Sequence, residues 1–271
     1  AASTGKLSVT GYQDYSDAQK ILKEVNKYRK KNGRKALKMD RGLTNSTIMR
    51  GFETTIYIPE TSPHRRPNGK LSKSINKKII YENCAQSAGT TPKQIVKGWI
   101  NSSTHRKGLL LSNAKSVGVA AVTVVSRDGY EANTWVLDFS SSKAKKVEKS
   151  KARKQFTKNI VTKNSYLKKS YLKLDSRYGT IWETEKMQMK PTYQGKMMKE
   201  YGVYPTVINT SSFTSWKSSN PSVASVDSNG RITGNKAGTA MISAKLKTGT
   251  KITISKKIKV VPTNQQIDPW E

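Results

Sequence analysis

The apolar positions of residues 14–33 recur at the spacing of one face of a helix. They are Ala18, Ile21, Leu22, Val25 and Tyr28, and lysines and arginines fill the other face. Ser16 and Gln19 predict a capping box at the start, and Asn32-Gly33 predicts the end. The pattern therefore predicts an amphipathic helix over about 14–33.

Two further helices are predicted in the first half of the chain. The spacing of Leu43, Ile48, Phe52 and Ile56 predicts a helix over about 41–57, which prolines 59, 63 and 67 follow with a loop. Thr91-Pro92 predicts a capped helix start. That helix runs to about residue 101, with Ile95, Val96, Trp99 and Ile100 on its inward face.

The pattern then changes from helical to strand periodicity. Residues 116–125 predict a buried strand, Asp128-Gly129 a turn, and residues 133–139 the returning strand of a hairpin. Helices followed by a hairpin predict a layered α/β domain. From about residue 165, short apolar runs between turn residues predict an all-β domain.

These patterns predict two domains, separated by a Ser- and Lys-rich segment. We assign residues 1–142 to the first domain, 143–164 to a linker, 165–263 to the second domain and 264–271 to a polar tail. A chain of 271 residues agrees with two domains of ordinary size.

The balance of charge is strongly basic, with 50 Lys and Arg against 18 Asp and Glu and a net charge of +32. Such a chain attracts polyanions, so anionic envelope polymers such as teichoic acids and lipid headgroups are expected partners. Specific nucleic-acid binding is not expected, because no zinc finger, basic zipper or RNP-like aromatic pair is present. A high lysine content that only confers solubility is the alternative.

Other features bear on where the protein works. No apolar stretch approaches the roughly 20 residues that span a bilayer, and the chain opens without a signal peptide. Its small first residues fit the mature side of a cleavage site, and equally a shortened chain. The single cysteine, Cys84, excludes an internal disulfide framework, and Gram-positive bacteria export many cysteine-poor proteins.

Histidine chemistry in this chain depends on two residues, His64 and His105, with Glu82 between them in sequence. Two imidazoles and a carboxylate can hold Zn²⁺ with an open position for water, or perform acid–base chemistry near neutral pH. Their spacing leaves open whether they converge or are two loop histidines bonded to backbone. Cys84 is interpreted as a small buried side chain rather than a nucleophile, and no G-x-S-x-G elbow is present.

An ordered set of motifs over about residues 15–140 resembles the CAP superfamily, also called SCP or PR-1-like, in its bacterial form. In the first helices, Asn26 to Arg29 resemble N-x-x-R, and the set Leu37, Asp40 and Leu43 resembles L-x-x-D-x-x-L. Residues 64–69 resemble H-x-R-P-[DN]-G, and Glu82-Asn83 resemble G-E-N. Residues 99–106 resemble W-x-x-S-P-G-H-R, and residues 117–119 and 135–139 match the closing hairpin.

The CAP resemblance implies an α-β-α sandwich with a cleft formed by His64, Glu82, Asn83 and His105. It also implies that His64 and His105 can ligate Zn²⁺ or another divalent cation. Asn101 and Ser102 stand where the family has a second acid. Tyr81 replaces its glycine, and Ser103-Thr104 replace Pro-Gly, so we expect a reshaped cleft and less support for catalysis.

Residues 216–242 resemble the group 2 bacterial Ig-like family. The motif runs from Trp216 through Asn220-Pro221-Ser222-Val223 and Asn229-Gly230 to Ala237-Gly238-Thr239. The resemblance implies an Ig-like β-sandwich of the kind found on bacterial surface proteins. The whole chain is therefore expected to be α+β, with an α-β-α sandwich before an all-β sandwich.

We interpret the chain as an extracellular or wall-associated, non-enzymatic binding protein. Its cleft is expected to hold a divalent metal or a small or lipid ligand. Two alternatives stay open at this point. One is a metal-assisted hydrolase in which Glu82 positions water, and the other is a host-binding adhesin whose cleft is vestigial.

Overall fold

The computed structural model describes residues 3–57 and 64–268, which cluster into two compact units. The N-terminal unit holds residues 10–125 and 131–158. The C-terminal unit holds the residues up to Val9, residues 126–130 and the chain from Asn159 onward. Helices and strands in the first and mostly strands in the second confirm the predicted α+β class.

A mixed sheet and several helices form the first part of the chain. The strands are β1 Thr4–Asp14, β2 Lys38–Met39, β3 Ile79–Ser87, β4 Ser116–Val125, β5 Glu131–Ser140 and β6 Arg153–Lys163. The helices are α1 Tyr15–Lys31, α2 Arg41–Glu53, α3 Pro92–Asn101 and α4 Ser103–Leu109. The sheet order is β3-β5-β4-β1-β6, with β2 beside β4, so β3 and β6 are the end strands of this order.

Helices cover both faces of this sheet and confirm the predicted α-β-α sandwich. One face packs on α1 and α3, and its apolar cluster includes Ile21, Val25, Trp99, Val119, Trp135 and Leu137. The other face packs on α2 at Gly118 of β4. A Cβ on Gly118 would lie 2.7 Å from the Leu43 carbonyl oxygen, so only glycine allows this approach.

Local hydrogen bonds set the ends of the helices. The start of α1 is Asp14, whose carboxylate accepts from the Asp17 N–H at 2.9 Å. The predicted capping box at Ser16 and Gln19 is therefore wrong, and Gln19 donates to the Glu148 carbonyl instead. The predicted end of α1 is confirmed, with Asn32 as the cap and Gly33 at φ +68°.

The predicted ends of the other two helices agree with the structure to different degrees. Thr91 and Gln94 form a capping box around Pro92 at the start of α3, as predicted. The second helix, α2, ends at Glu53 rather than at residue 57. The hydroxyls of Thr54 and Thr55 bond back to the Gly51 and Phe52 carbonyls there. Prolines 59 and 63 of the predicted loop lie outside the described residues.

The Lys- and Ser-rich segment 143–164, predicted as a linker, has defined structure. The Glu148 N–H donates to the Met39 carbonyl at 2.8 Å, and the Arg41 N–H donates to the Lys146 carbonyl at 2.8 Å. The segment then continues as β6. These contacts place residues 143–158 in the N-terminal unit, so the unit boundary falls at 158/159 rather than at 142 and 164.

The C-terminal unit is built mainly from short strands. They are β7 Leu172–Lys173, β8 Thr180–Trp182, β9 Lys186–Gln188, β10 Thr192–Tyr193, β11 Thr206–Val207, β12 Phe213–Ser218, β13 Ala224–Val226, β14 Arg231–Gly234, β15 Gly238–Leu246 and β16 Thr253–Val261, with helix α5 at Lys196–Glu200. The sheets are β12-β15-β16-β8, β13-β14-β9 and β11-β10-β7. Residues 269–271 of the predicted tail lie outside the described residues.

Candidate functional site

Glu82 is the buried carboxylate of the candidate site, and its neighbours fix its orientation. It lies on β3 and is only 4% exposed. Arg50 of α2 reaches it with two parallel hydrogen bonds, Nε to Oε2 at 3.0 Å and Nη2 to Oε1 at 2.8 Å. The same guanidinium donates to Glu53 one turn further along α2 at 2.8 Å. A bidentate pair at this depth holds the carboxylate in one orientation.

The ionisation of Glu82 is tied to that of Asp138, which lies directly across on β5. Burial alone would raise the pKa of Glu82, but Arg50 and His64 hold that pKa well below its usual range. Burial and then the Glu82 charge raise the pKa of Asp138 well above its usual value. Glu82 is therefore an anion beside a neutral Asp138, which two adjacent buried carboxyls require.

The hydrogen bonds around Asp138 agree with a protonated acid. Its Oδ2 accepts from the Thr47 hydroxyl at 2.8 Å. Its Oδ1 meets no hydrogen-bond partner in residues 3–57 and 64–268. A neutral carboxyl costs less to bury without a full set of partners than a carboxylate does, so this arrangement favours the protonated acid.

His64 and Cys84 contact the same oxygen of Glu82. His64 Nδ1 lies 3.1 Å from Oε1, with the His64 side chain 37% exposed. Cys84 Sγ donates to Oε1 at 3.3 Å. Desolvation and then the Glu82 charge raise the pKa of Cys84, so the residue is a neutral thiol and not an activated nucleophile.

His105 lies on α4, where its Nδ1 is 2.9 Å from the Ser102 Oγ. Burial and then the charge of His64 lower the pKa of His105, so its imidazole is neutral near pH 7. One ligand atom each from His64, Glu82 and Cys84 lies within 4.8 Å of the others. Among the described residues that tight group does not include His105, although the two histidines interact electrostatically.

A cleft of about 380 Å³ opens beside this cluster. Its polar end contains His64, Glu82 and Thr104, and its apolar wall contains Leu71 and Ile80. Leu71 is 46% and Ile80 is 41% exposed, so the wall offers apolar surface to a ligand. His105 does not line the cleft, but its neighbour Thr104 does.

Asn83, predicted as a cleft residue, occupies a different position. It follows Glu82 on β3, so its side chain points to the other face of the sheet, and it is fully buried. Its Nδ2 donates to the His105 carbonyl at 2.9 Å. Asn83 therefore holds α4 through this hydrogen bond.

Tyr81, which stands in place of the family glycine, lines the cleft. Its hydroxyl donates to the Thr104 carbonyl at 2.8 Å, and its ring packs edge-on against Phe139. Gly108 of α4 lies under the ring, where a Cβ would be 2.6 Å from Tyr81 Cδ1. Tyr81 thus braces α4 against β3 at the mouth of the cleft.

Sequence reasoning did not find four charged residues of the site, namely Arg50, Glu53, Arg66 and Asp138. Arg66 binds Glu53 at 2.7 Å, so a chain of charges links the His64 loop to β3 through α2. Arg50 and Glu53 stand three residues apart on the buried face of α2. In the sequence, two opposite charges stand three residues apart on the helix face that is otherwise predicted to be buried. That placement is the signal that could have identified Arg50 and Glu53.

Two family models match this chain. Residues 22–139 match the Cysteine-rich secretory protein family, CAP, and residues 194–259 match the bacterial Ig-like domain, group 2. The chain carries a CAP domain followed by a bacterial Ig-like domain. Both suspected resemblances are confirmed, and the cleft belongs to the CAP domain.

A curated relative matches part of this chain. "Uncharacterized protein YkwD" of Bacillus subtilis (strain 168) is 32% identical over 119 residues, which are 42% of this chain and 44% of the relative. The chain thus spans less than half the length of that curated relative. In residues 3–57 and 64–268, no helix is long and apolar enough to cross a membrane.

Solved structures with similarity include two surface or extracellular proteins. An outer surface protein from Borrelia burgdorferi has 16% identity and a TM-score of 0.34, over 46% of this chain and 92% of that one. An extracellular protein with an SCP domain from Bacillus anthracis str. Ames has 20% identity and a TM-score of 0.33, over 45% of this chain and 41% of that one.

Among the described residues, the compact donor group available to a divalent cation such as Zn²⁺ is His64, Glu82 and Cys84, and His105 lies outside that group. Both imidazoles are hydrogen-bonded through Nδ1, to Glu82 and to Ser102, which makes Nε2 the ring atom that would bind a metal. Glu82 already contacts Arg50, His64 and Cys84. It therefore fits the role of a carboxylate that orients a histidine ligand without binding the metal itself.

Proposed function

We propose that this protein is an extracellular, envelope-associated binding protein that does not catalyse hydrolysis. Its CAP cleft holds a divalent cation through His64 and His105, with Glu82 orienting His64. The apolar wall of the cleft, with Leu71 and Ile80 exposed, accommodates a small or lipid ligand beside the cation. The Ig-like domain presents the CAP domain, and the net charge of +32 retains both at the anionic envelope.

The bidentate Arg50–Glu82 pair is the observation that favours binding over hydrolysis. A general base works best with a pKa near the operating pH. Arg50 and His64 hold the pKa of Glu82 well below its usual range, and Arg50 occupies both carboxylate oxygens. A carboxylate in that state is a weak base and cannot turn toward a water. Glu82 is thus a positioning group.

Zinc titration of the full chain by isothermal calorimetry tests this proposal. The variants are His64→Ala and His105→Ala, with Glu131→Gln as the control because Glu131 is exposed. We expect each histidine variant to lose roughly tenfold or more in zinc affinity, and the control to bind like the wild type. Equal affinity in the double histidine variant would contradict the metal site.

A second measurement separates binding from hydrolysis. Zinc-loaded protein is incubated with peptide and ester substrates, and Glu82→Gln is compared with the wild type. We expect no turnover by either protein. Hydrolysis by the wild type that Glu82→Gln abolishes would overturn the non-enzymatic assignment.

A further inference from the structure

The Ig-like domain presents a basic face on the sheet β12-β15-β16-β8. Side chains alternate between the two faces of each strand. On β15 and β16 the inward set is apolar and buried apart from the half-buried Lys256, and it includes Ala240, Ile242, Ala244, Ile254, Ile258 and Val260. The outward set is polar and mostly exposed. This division of the strands defines one solvent-facing surface, here called the lysine face.

The strand register arranges the lysine face in rows across the sheet. Successive rows are two residues apart along a strand, or about 6.7 Å. From one end, the rows are Thr214–Lys245–Thr253, Lys217–Ser243–Ser255, Met241–Lys257 and Thr239–Lys259–Thr180. Each row contributes a single lysine, and hydroxyl side chains fill most of the other positions.

The charged residues in these rows are all lysines. None of the four forms an ion pair with a described carboxylate. Lys256, on the same strand as Lys257, faces inward, and burial lowers its pKa. The acids that follow β8, Glu183 and Glu185, accept from the backbone N–H groups of Ala237 and Trp182. The lysine face therefore carries uncompensated positive charge.

We propose that the lysine face binds a linear polyol-phosphate polymer, of which poly(glycerol phosphate) is the simplest member. The four ammonium groups, one in each row, suit a chain that carries one negative charge per repeat. The hydroxyls of Thr239, Ser243 and Ser255 donate to phosphate oxygens or accept from polyol hydroxyls.

The composition of the lysine face distinguishes this polymer from nucleic acid. Single-stranded nucleic acid is held by aromatic rings on which bases stack, together with arginine. The rows hold no arginine, and they are followed on β8 by a single aromatic ring, Trp182, whose indole N–H donates to the Gln265 carbonyl. Phosphate with an aliphatic backbone needs neither.

This inference rests on the proposed function in one respect, that the protein works at an anionic envelope. Its test uses the full chain and two variants of equal net charge. The face variant carries Lys→Gln at 217, 245, 257 and 259. The control variant carries Lys→Gln at 168, 169, 186 and 199, which are exposed residues of the same unit outside these strands. Circular dichroism and thermal unfolding verify that both are folded.

Affinity for poly(glycerol phosphate) is measured by calorimetry across a series of salt concentrations. For the face variant we expect the slope of log K against log salt to fall by about 3, since four phosphate contacts are lost. For the control variant we expect a fall of less than about 1. If the face variant fails to fold, a second variant with Thr239→Glu and Thr253→Glu replaces it. The acids added to the lysine face should also weaken binding of the polymer.

Three outcomes would overturn the inference. Equal slopes for the face and control variants would show that net charge alone binds the polymer, and the proposed envelope role would stand. Tighter binding of oligo-dT than of the polymer, with the same dependence on the face, would assign the surface to nucleic acid. No binding of polymer by the wild type at low salt would contradict the envelope role as well.

Discussion

At the scale of single residues, the buried charges around Glu82 explain why the site is rigid. Arg50 is balanced by two carboxylates, Glu53 and Glu82, and Arg66 adds a second cation from the His64 loop. Buried charges of this kind cost desolvation energy unless each is paired. The network leaves Asp138 as the acid that must stay protonated.

The protonated state of Asp138 gives a pH-dependent prediction. Its folded pKa is raised, so the folded protein keeps a proton that the unfolded chain releases above about pH 4. The wild type therefore loses this contribution to stability as the pH rises. Asp138→Asn mimics the neutral acid and does not titrate. We expect its free energy of unfolding, relative to wild type, to increase as the pH rises above about 4, by at most about 1.4 kcal/mol per pH unit.

Urea unfolding at several pH values, followed by tryptophan fluorescence, measures that difference. Asp128→Asn is the control, because Asp128 is an exposed turn residue whose side-chain hydrogen bond to Arg127 lowers its pKa. A difference between Asp138→Asn and wild type that does not change with pH would show that Asp138 is ionised in the folded protein.

The sequence alone could predict only part of this network. His64 and Glu82 were named together, and the structure places them 3.1 Å apart. Arg50 and Asp138 were missed because they are near neither residue in sequence, and pairing across strands brings Asp138 to Glu82. Asn83 was misplaced because a single-residue step along β3 moves a side chain to the opposite face of the sheet.

At the scale of elements, patterns with strong local signals were predictable and others were not. Helices α1 and α3 have apolar faces and end signals, and both form where expected. Strands β1, β3 and β6 were not predicted. In β6 the solvent-facing positions hold lysine, arginine and glutamine, so strand alternation is hidden in a basic composition. Pairing at the edge of an existing sheet stabilises such a strand without a strong pattern of its own.

The close approach of α2 to β4 provides a prediction at this scale. A methyl group on Gly118 would collide with the Thr47 hydroxyl and the Leu43 backbone. We expect Gly118→Ala to lower the free energy of unfolding by about 1–3 kcal/mol. It should also weaken zinc binding, because α2 carries Arg50, which holds Glu82.

Gly98→Ala is the matched control. Gly98 lies in α3 with no atom within 4 Å of the added methyl group. Alanine in place of a helical glycine should stabilise the protein by roughly 0.5–1 kcal/mol. Urea unfolding of both variants gives the comparison, and similar effects of the two changes would contradict close packing at Gly118.

At the scale of the whole molecule, the net charge of +32 governs how the protein meets its surroundings. Electrostatic attraction to an anionic envelope extends over about 10 Å at 0.1 M salt and about 3 Å at 1 M. We expect purified bacterial walls to bind the protein at low salt and to release most of it by 1 M salt. Sedimentation and quantification of the unbound protein measure this. Retention at high salt would show that charge does not hold the protein there.

Walls from which the phosphate polymers have been extracted serve as the control for that measurement. They should retain less protein than intact walls at the same low salt. Equal retention would assign the attraction to other anionic groups of the wall.

The positions of β1 and β6 in the fold limit which segments of the gene can be exchanged and which fragments of the protein can be expressed. Each of these strands has residues in both compact units, because the unit boundaries fall at 9/10 and 158/159. Exchange of the segment 22–139 alone, as in gene shuffling, would separate the domain from strands that complete its sheet. A fragment that stops at residue 142 would leave β1 without β6, one of its two neighbours, and expose a hydrogen-bonding edge to aggregation. A segment exchanged between genes, or a fragment made for expression, must therefore be longer than the segment that the family model matches.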